Sequence, residues 1–211
     1  MSCSIFFLLD DLTSLSQFFN FPTQEKRNKM ASPIIKFIDW NVNETTCSLM
    51  NNSNVGNVAI NNSITKKRIE LETPSFVSKY SIDTQYDLKI KIHSDEVCFD
   101  KFEEFEQFII EMDKSALFMT ENKKKSIYCP MIIKKETPFI NFSICLQKVE
   151  IVDKDDISLL NDDISKRSND DLKLLLPPKT KMMVTIKIDY LYNNRGKFGV
   201  KRSISKIMKL E

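Results

Sequence analysis

The sequence predicts a mainly β fold, an antiparallel barrel or sandwich with helical insertions. Three observations indicate this class. Short apolar segments alternate with polar turns through most of the 211 residues, one segment alone has a long helical period, and few strand–helix–strand units are visible. We count roughly seven to nine strands by these signals. The length fits one main domain.

The clearest predicted strand is YDLKIKIH, residues 86–93. Its apolar residues occupy every second position, and the opposite face carries Lys89, Lys91 and His93, so the strand has one wet face. Other strands are expected over 34–40, within 41–62, over 68–72, 139–152 and 181–192, and from Lys197 onward.

Two segments have a helical pattern. In 100–119 the apolar residues recur every three or four positions, and Asp100 with Glu103 predicts a capping box at its start. The second helix is short, over 168–176, with Ser168 as its N-cap and two prolines after it.

Residues 1–30 are expected to be an extension, either a short helix or poorly ordered, ahead of a domain over 31–211. The apolar run Ile5–Leu9 is too short to span a membrane, and no membrane partner is expected. Five singly spaced cysteines, no CxxC pair and one histidine argue against a disulfide framework and a structural zinc site. A reducing intracellular compartment fits this cysteine usage.

No catalytic or cofactor site is predicted. Three glycines cannot build a phosphate loop, and His93 is expected to be an ordinary surface histidine. The acidic pairs within 153–171 lie in a loop or a helix first turn, where solvated carboxylates are the ordinary interpretation. The sequence therefore predicts a protein that is not an enzyme and needs neither metal nor cofactor.

Positive charge collects at the C-terminal end. Residues 179–211 hold nine Lys or Arg and two acids, a balance of +7 in a chain of net charge +2, which leaves −5 for the first 178 residues. A basic end on an acidic body suggests an anionic partner, although basic residues near a terminus also serve solubility.

Cations and aromatic side chains interleaved on β structure are what single-strand binding requires, for phosphates and for stacked bases. The candidate residues for such contacts are Arg195, Lys197, Lys201, Arg202, Phe198, Tyr190, Tyr192, Lys123, Lys124, Lys125, Tyr128, Lys134, Lys135, Lys36 and Trp40.

Four of these aromatic predictions have a competing interpretation. Trp40 and Phe198 are residue types that cores commonly bury. Strict alternation along 181–192 places Tyr190 and Tyr192 on the same face as Val184, Ile186 and Ile188, which is a candidate core face. Gly196, in the turn after that strand, is expected to adopt a positive φ.

Four segments, in order, resemble single-stranded DNA-binding proteins of large DNA viruses, which are similar to the T7-type phage proteins. The segments are RIELETPSF (68–76), FEEFEQFIIEMDKSA (102–116), SIYCPMIIKKETPFINFSICL (126–146) and the closing 171–210. The last is the most specific, with a short helix, a polar link, a strand ending in aromatics, a turn, and KFG opening the final strand.

The resemblance implies an OB-type antiparallel barrel carrying a helical insertion and no enzymatic activity. It implies largely sequence-independent single-stranded DNA binding in replication, recombination or repair, at a viral replication site in the host cytoplasm or nucleus. Replication proteins and a second copy of the chain are the implied further partners. The alternative is a structural or scaffold protein of a virion or replication complex that uses a β-barrel as an interaction module.

Overall fold

The computed structural model describes residues 33–49, 57–79, 88–112, 127–160, 162–194 and 196–211. These residues all belong to one compact unit, Ser32–Glu211. The predicted extension, the lysines at 123–125 and Arg195 lie outside the described residues. No helix in the described ranges is long and apolar enough to cross a membrane.

Within the described ranges, twelve strands form one sheet. In chain order they are β1 (Ile34–Lys36), β2 (Thr45–Leu49), β3 (Val58–Asn62), β4 (Ile69–Glu72), β5 (Phe76–Val77), β6 (Lys89–His93), β7 (Ile127–Tyr128), β8 (Ile132–Ile133), β9 (Phe139–Ile144), β10 (Glu150–Val152), β11 (Lys181–Asn194) and β12 (Lys197–Lys209). Two α-helices are present in the described chain, α1 (Asp100–Glu111) and α2 (Asn169–Leu175), with three short 3-10 turns at Phe37–Asp39, Val42–Glu44 and Ile164–Lys166.

The long hairpin of β11 and β12 is the centre of the sheet. The main strand order is β1-β4-β11-β12-β9-β6. The strands at its two ends, β1 and β6, do not pair with each other in the described chain. Strand β12 runs parallel to β7, β9 and β10, and β1 runs parallel to β4. The mainly β class is confirmed, whereas the sheet is mixed and open where an antiparallel closed barrel was expected. Pairings between segments far apart in sequence decide this, and alternation within a strand carries no such information.

The hairpin turn depends on Gly196. Its φ is +79°, in the left-handed region that a residue without Cβ adopts freely, as predicted.

The predicted strand over 139–152 is interrupted, because the amide groups of Lys148 and Val149 both donate to the carbonyl of Cys145 and form a turn between β9 and β10.

Two bulges change which residues of the hairpin face the core. Ile188 pairs with Arg202 and Tyr190 pairs with Lys201, so Asp189 is an extra residue in β11. Beyond it the buried residue is Leu191, and Tyr190 and Tyr192 lie on the opposite face. Ser205 is the corresponding extra residue in β12, between the pairs made by Lys206 and Ile204.

Helix α1 covers one face of the sheet with the predicted phenylalanine stripe. Phe102 and Phe105 are fully buried and contact Trp40, with ring centroids 6.3 and 5.1 Å away, and Phe102 also contacts Phe142 of β9 at 6.0 Å. Trp40 is therefore a core residue, and the prediction that it contacts DNA is wrong. Its Nε1 is buried and has no hydrogen-bond partner in the described chain.

The helix starts follow different rules. At α2, the Ser168 side chain accepts a hydrogen bond from the Asp171 amide, which confirms the predicted N-cap. The Asp171 carboxylate also accepts from the Ser168 amide, so the two residues form a capping box. Helix α1 begins after Phe99 with no side-chain cap, and Asp100 lies inside its first turn, so the Asp100–Glu103 capping box is wrong. The N-cap position is therefore Phe99, one residue before the predicted Asp100, and both Phe99 and Phe102 are buried at this start.

Candidate nucleic-acid interface

A groove of about 550 Å³ lies between β9 and the β11–β12 hairpin. Its walls are formed on the sheet face opposite the core residues of β11. The residues that line it are Arg68, Leu88, Ser143, Ile144, Cys145, Lys148, Lys187, Asp189, Tyr190, Lys201, Ser203, Ile204 and Ser205. It is a surface channel rather than an enclosed cavity, and its lining includes the small polar side chains of Ser143, Ser203 and Ser205.

The groove carries four cations and one carboxylate. The carboxylate, Asp189, accepts a hydrogen bond from the Ser203 hydroxyl at 2.8 Å and lies 4.0 Å from the Arg68 guanidinium. Lys187 forms an ion pair with Glu70 at 3.0 Å. These contacts leave the groove with an excess of positive charge.

Lys148 and Lys201 are the groove cations best placed for a phosphate. Both are exposed, and neither has an ion-pair partner among the described residues. An exposed ammonium on a flexible stem meets a phosphate without first breaking an internal pair. The groove therefore offers two cations that are available to a phosphate. The other two, Arg68 and Lys187, would first give up their contacts with Asp189 and Glu70.

Tyr190 forms part of the groove wall. The Asp189 bulge turns it away from the core, so the core-facing alternative for this tyrosine is wrong. The side chain is half-buried and stands directly opposite Lys201 across the hairpin. An aromatic ring beside a cation in a polar channel suits a stacked base with its phosphate.

Tyr192 lies on the same face but does not line the groove. Its ring crosses Gly199, whose missing Cβ would lie 2.7 Å from the Tyr192 oxygen. Burial raises the pKa of Tyr192, and its hydrogen bond with Cys129 adds to the shift. Contact with the protein thus occupies much of this ring.

Arg202 and Phe198 face inward, because alternation places them on the side of β12 opposite Lys201. Phe198 is fully buried against Tyr128, with ring centroids 5.1 Å apart. Arg202 donates to the carbonyls of Val200 at 2.9 Å and Met131 at 3.2 Å. The prediction that these two side chains contact DNA is wrong, since both serve the interior.

Tyr128 belongs to the same interior network. Its hydroxyl donates to the Glu106 carboxylate of α1 at 3.1 Å, and the Ile132 amide donates to the same oxygen at 3.3 Å. Burial raises the pKa of Tyr128 and the Glu106 carboxylate raises it further, while burial lowers the pKa of Arg202. Tyr128 is therefore a structural link between α1 and β7.

The remaining predicted cations are exposed but dispersed. Lys197 begins β12, and Lys134 and Lys135 lie between β8 and β9. Lys36 lies on β1, opposite Glu72 and outside the groove. None of these four lines the groove.

Sequence reasoning missed Arg68, Lys148 and Lys187, which the fold brings to Tyr190 and Lys201. They come from the start of β4, the turn after β9 and the middle of β11. Lys187 alone gave a local signal, since it occupies a polar position in an alternating strand. The other two are recognisable only once the sheet order is known.

His93 departs from its expected position at the surface. It is 8% exposed, and its ring lies 5.4 Å from that of Phe139. Within the described ranges, no group of three His, Cys, Asp or Glu side chains is placed to hold a metal ion.

No protein-family model matches the chain, and no curated protein matches it. Among solved structures, the chain is similar to the single-stranded DNA-binding protein from bacteriophage Enc34, with 8% identity and a TM-score of 0.43 over 78% of this chain and 89% of that one. The structure of that phage protein in complex with ssDNA gives 10% identity and a TM-score of 0.42, over 78% and 94% of the two chains. A C-terminal truncation of it gives 9% identity and a TM-score of 0.44, over 79% and 94%.

Proposed function

We propose that this protein binds single-stranded DNA, with little sequence preference and without enzymatic activity, in the groove beside β9. The observation that carries the proposal is the composition of this groove, in which Arg68, Lys148, Lys187 and Lys201 surround a half-buried Tyr190 with one carboxylate among them. Phosphates would meet the ammonium and guanidinium groups, and a base would stack on the tyrosine. Because every base has an aromatic face, such contacts do not select a sequence.

The groove suits a single strand better than a duplex. Its 550 Å³ is the size of a small-ligand cleft, and stacking on Tyr190 requires a base that is free of its partner strand. A role in coating exposed DNA during replication, recombination or repair, inside a cell or at a viral replication site, follows as part of the proposal. Replication proteins and a second copy of the chain are the partners we propose alongside DNA.

The test is a mobility shift on oligo-dT, beside duplex DNA of equal length, at low and moderate salt. The groove variant combines Lys148→Gln with Lys201→Gln. We expect it to bind oligo-dT about tenfold more weakly and to lower the slope of log affinity against log salt by about 1.4, since each lost single-strand phosphate contact removes about 0.7.

The matched control combines Lys154→Gln with Lys173→Gln. Both lysines are exposed and neither lines the groove, so the change in net charge is the same. Equal weakening by the two pairs would show a general charge effect and exclude the groove. Absence of any preference for single strands would favour the scaffold function, and magnesium-dependent loss of the probe would indicate a nuclease.

A further inference from the structure

The polar face of β9 leads from the groove to a second aromatic side chain, Phe139. Ser143 lines the groove, and Asn141 and Phe139 follow it at alternate positions of the same strand. All three are half-buried, whereas Ile140 and Phe142 between them are buried. Four residues of strand place Phe139 about 13 Å from Ser143.

The ammonium groups of two lysines lie close to the Phe139 ring. The Lys91 Nζ is 5.9 Å from the centre of its ring, and the Lys135 Nζ is 5.8 Å from it. Lys135 is exposed, and His93 supports the ring from β6. Both distances lie within the range of cation–π attraction, so the ring and both ammonium groups form one surface cluster.

Strand β6 adds cations along the route between the two sites. Lys89 stands opposite Ser143, and Lys91 stands opposite Asn141. At the groove end, Lys187 of β11, Ser203 of β12, Ser143 of β9 and Lys89 of β6 are successive cross-strand neighbours. This row of four strands spans about 14 Å across the sheet.

We propose that Phe139, Lys91 and Lys135 form a second contact point for the same DNA strand that occupies the groove. Phe139 stacks on a base, and the two lysines contact the phosphates on either side of it. This inference rests on the proposed function and adds the direction in which the DNA strand leaves the groove, along β9 from Ser143 to Phe139 and beside the lysines of β6. The aromatic groups at the two ends, Tyr190 and Phe139, then hold bases several nucleotides apart.

The experiment compares oligo-dT of about 4 and about 16 nucleotides, the range of single-strand sites on small β folds, by fluorescence anisotropy. We expect Phe139→Ala to lower affinity for the longer oligonucleotide about tenfold and to leave the shorter one unchanged, because the shorter one fills the groove alone. Phe139→Tyr keeps the ring and should bind both lengths as the wild type does.

A second variant removes the cations and leaves the ring in place. Lys91→Gln with Lys135→Gln should lower the salt slope for the longer oligonucleotide by about 1.4, and Lys154→Gln with Lys173→Gln should not match this loss. This pair decides the question if Phe139→Ala does not fold.

Each result has one meaning. Equal weakening of both lengths, or wild-type binding by the Phe139→Ala and lysine variants, overturns the second contact point. If only the groove variant then loses binding, the proposed function stands without this inference. If the wild type binds neither oligonucleotide, the proposed function itself fails.

Discussion

The Tyr192 ring lies directly over Gly199, where a Cβ would come within 2.7 Å of the tyrosine oxygen and 2.9 Å of Cζ. The two residues are cross-strand partners in the hairpin. Gly199 has no left-handed φ, so space rather than backbone conformation requires the glycine. The atoms it would meet belong to the far end of a side chain, which is able to swing aside.

We therefore expect Gly199→Ala to displace the Tyr192 ring and to lower the free energy of unfolding by at most about 1 kcal/mol, the low end of the cost of overpacking, because the ring is able to move. Urea denaturation measures the loss. In a Tyr192→Ala background the same substitution should cost close to nothing, because the clashing ring is gone. An equal loss in both backgrounds would show that the glycine serves another purpose.

Lys201 and Arg202 are adjacent, yet they should respond in opposite ways. Lys201→Gln should weaken oligo-dT binding and change the free energy of unfolding by less than about 0.5 kcal/mol, because the side chain is exposed. Arg202→Gln should cost about 1–3 kcal/mol of stability, because it removes the hydrogen bonds to Val200 and Met131.

The same two variants are then compared at equal folded concentration. Arg202→Gln should keep the wild-type dependence of binding on salt, since its guanidinium faces the interior. A reduced slope for this variant, with an unchanged slope for Lys201→Gln, would reverse our assignment of the two faces of β12.

Tyr190 should contribute stacking and little electrostatic attraction. We expect Tyr190→Ala to lower affinity for oligo-dT about tenfold while keeping the wild-type salt slope, because no phosphate contact is lost. Tyr190→Phe should bind as the wild type does. Tyr190→Leu keeps apolar area without an aromatic face, so wild-type affinity in this variant would rule out stacking.

Cys145 gives a direct report on groove occupancy. It is exposed and lines the groove, whereas Cys98 is exposed and does not. Saturating oligo-dT of about 4 nucleotides should slow alkylation of Cys145 by a maleimide relative to Cys98, measured by peptide mass spectrometry. The Lys148→Gln, Lys201→Gln protein should need more DNA for the same protection. Unchanged alkylation of Cys145 at saturation would place the DNA elsewhere.

Cys47 should make stability fall in mild alkali. Burial raises the pKa of its thiol from 9.0 to about 11. The unfolded chain loses this proton first, so the stabilisation is complete below pH 9, decreases above it and is lost by about pH 11. The shift corresponds to about 3 kcal/mol. Cys47→Ala should show a shallower decline over this window, and a parallel decline would exclude the thiol as its source.

Local patterns predicted the elements better than their arrangement. The alternation over Lys89–Ile92, the phenylalanine stripe of α1, the cap at Ser168 and the positive φ of Gly196 all depend on neighbours within a few residues, and all are present in the described parts. The mixed, open sheet depends on which distant strands pair. No local period encodes that choice.

Only part of the candidate site could be predicted from the sequence, because the rest depends on which distant strands pair. Tyr190 and Lys201 lie in one basic, aromatic segment, so composition found them. Arg68 and Lys148 come from other strands and turns. Strict alternation gave Tyr190 the wrong face because it cannot anticipate the extra residue at Asp189.

The extra residue at Asp189 changes the phase of the alternation along β11. Residues before Asp189 face the core at even positions, and residues after it do so at odd positions. Deleting Asp189 would remove the bulge and restore regular alternation from Ile188, which leaves Tyr190 on the groove face and Leu191 in the core. The deletion would instead remove the Asp189 carboxylate from the groove, and with it the acceptor of the Ser203 hydroxyl and the negative group 4.0 Å from the Arg68 guanidinium.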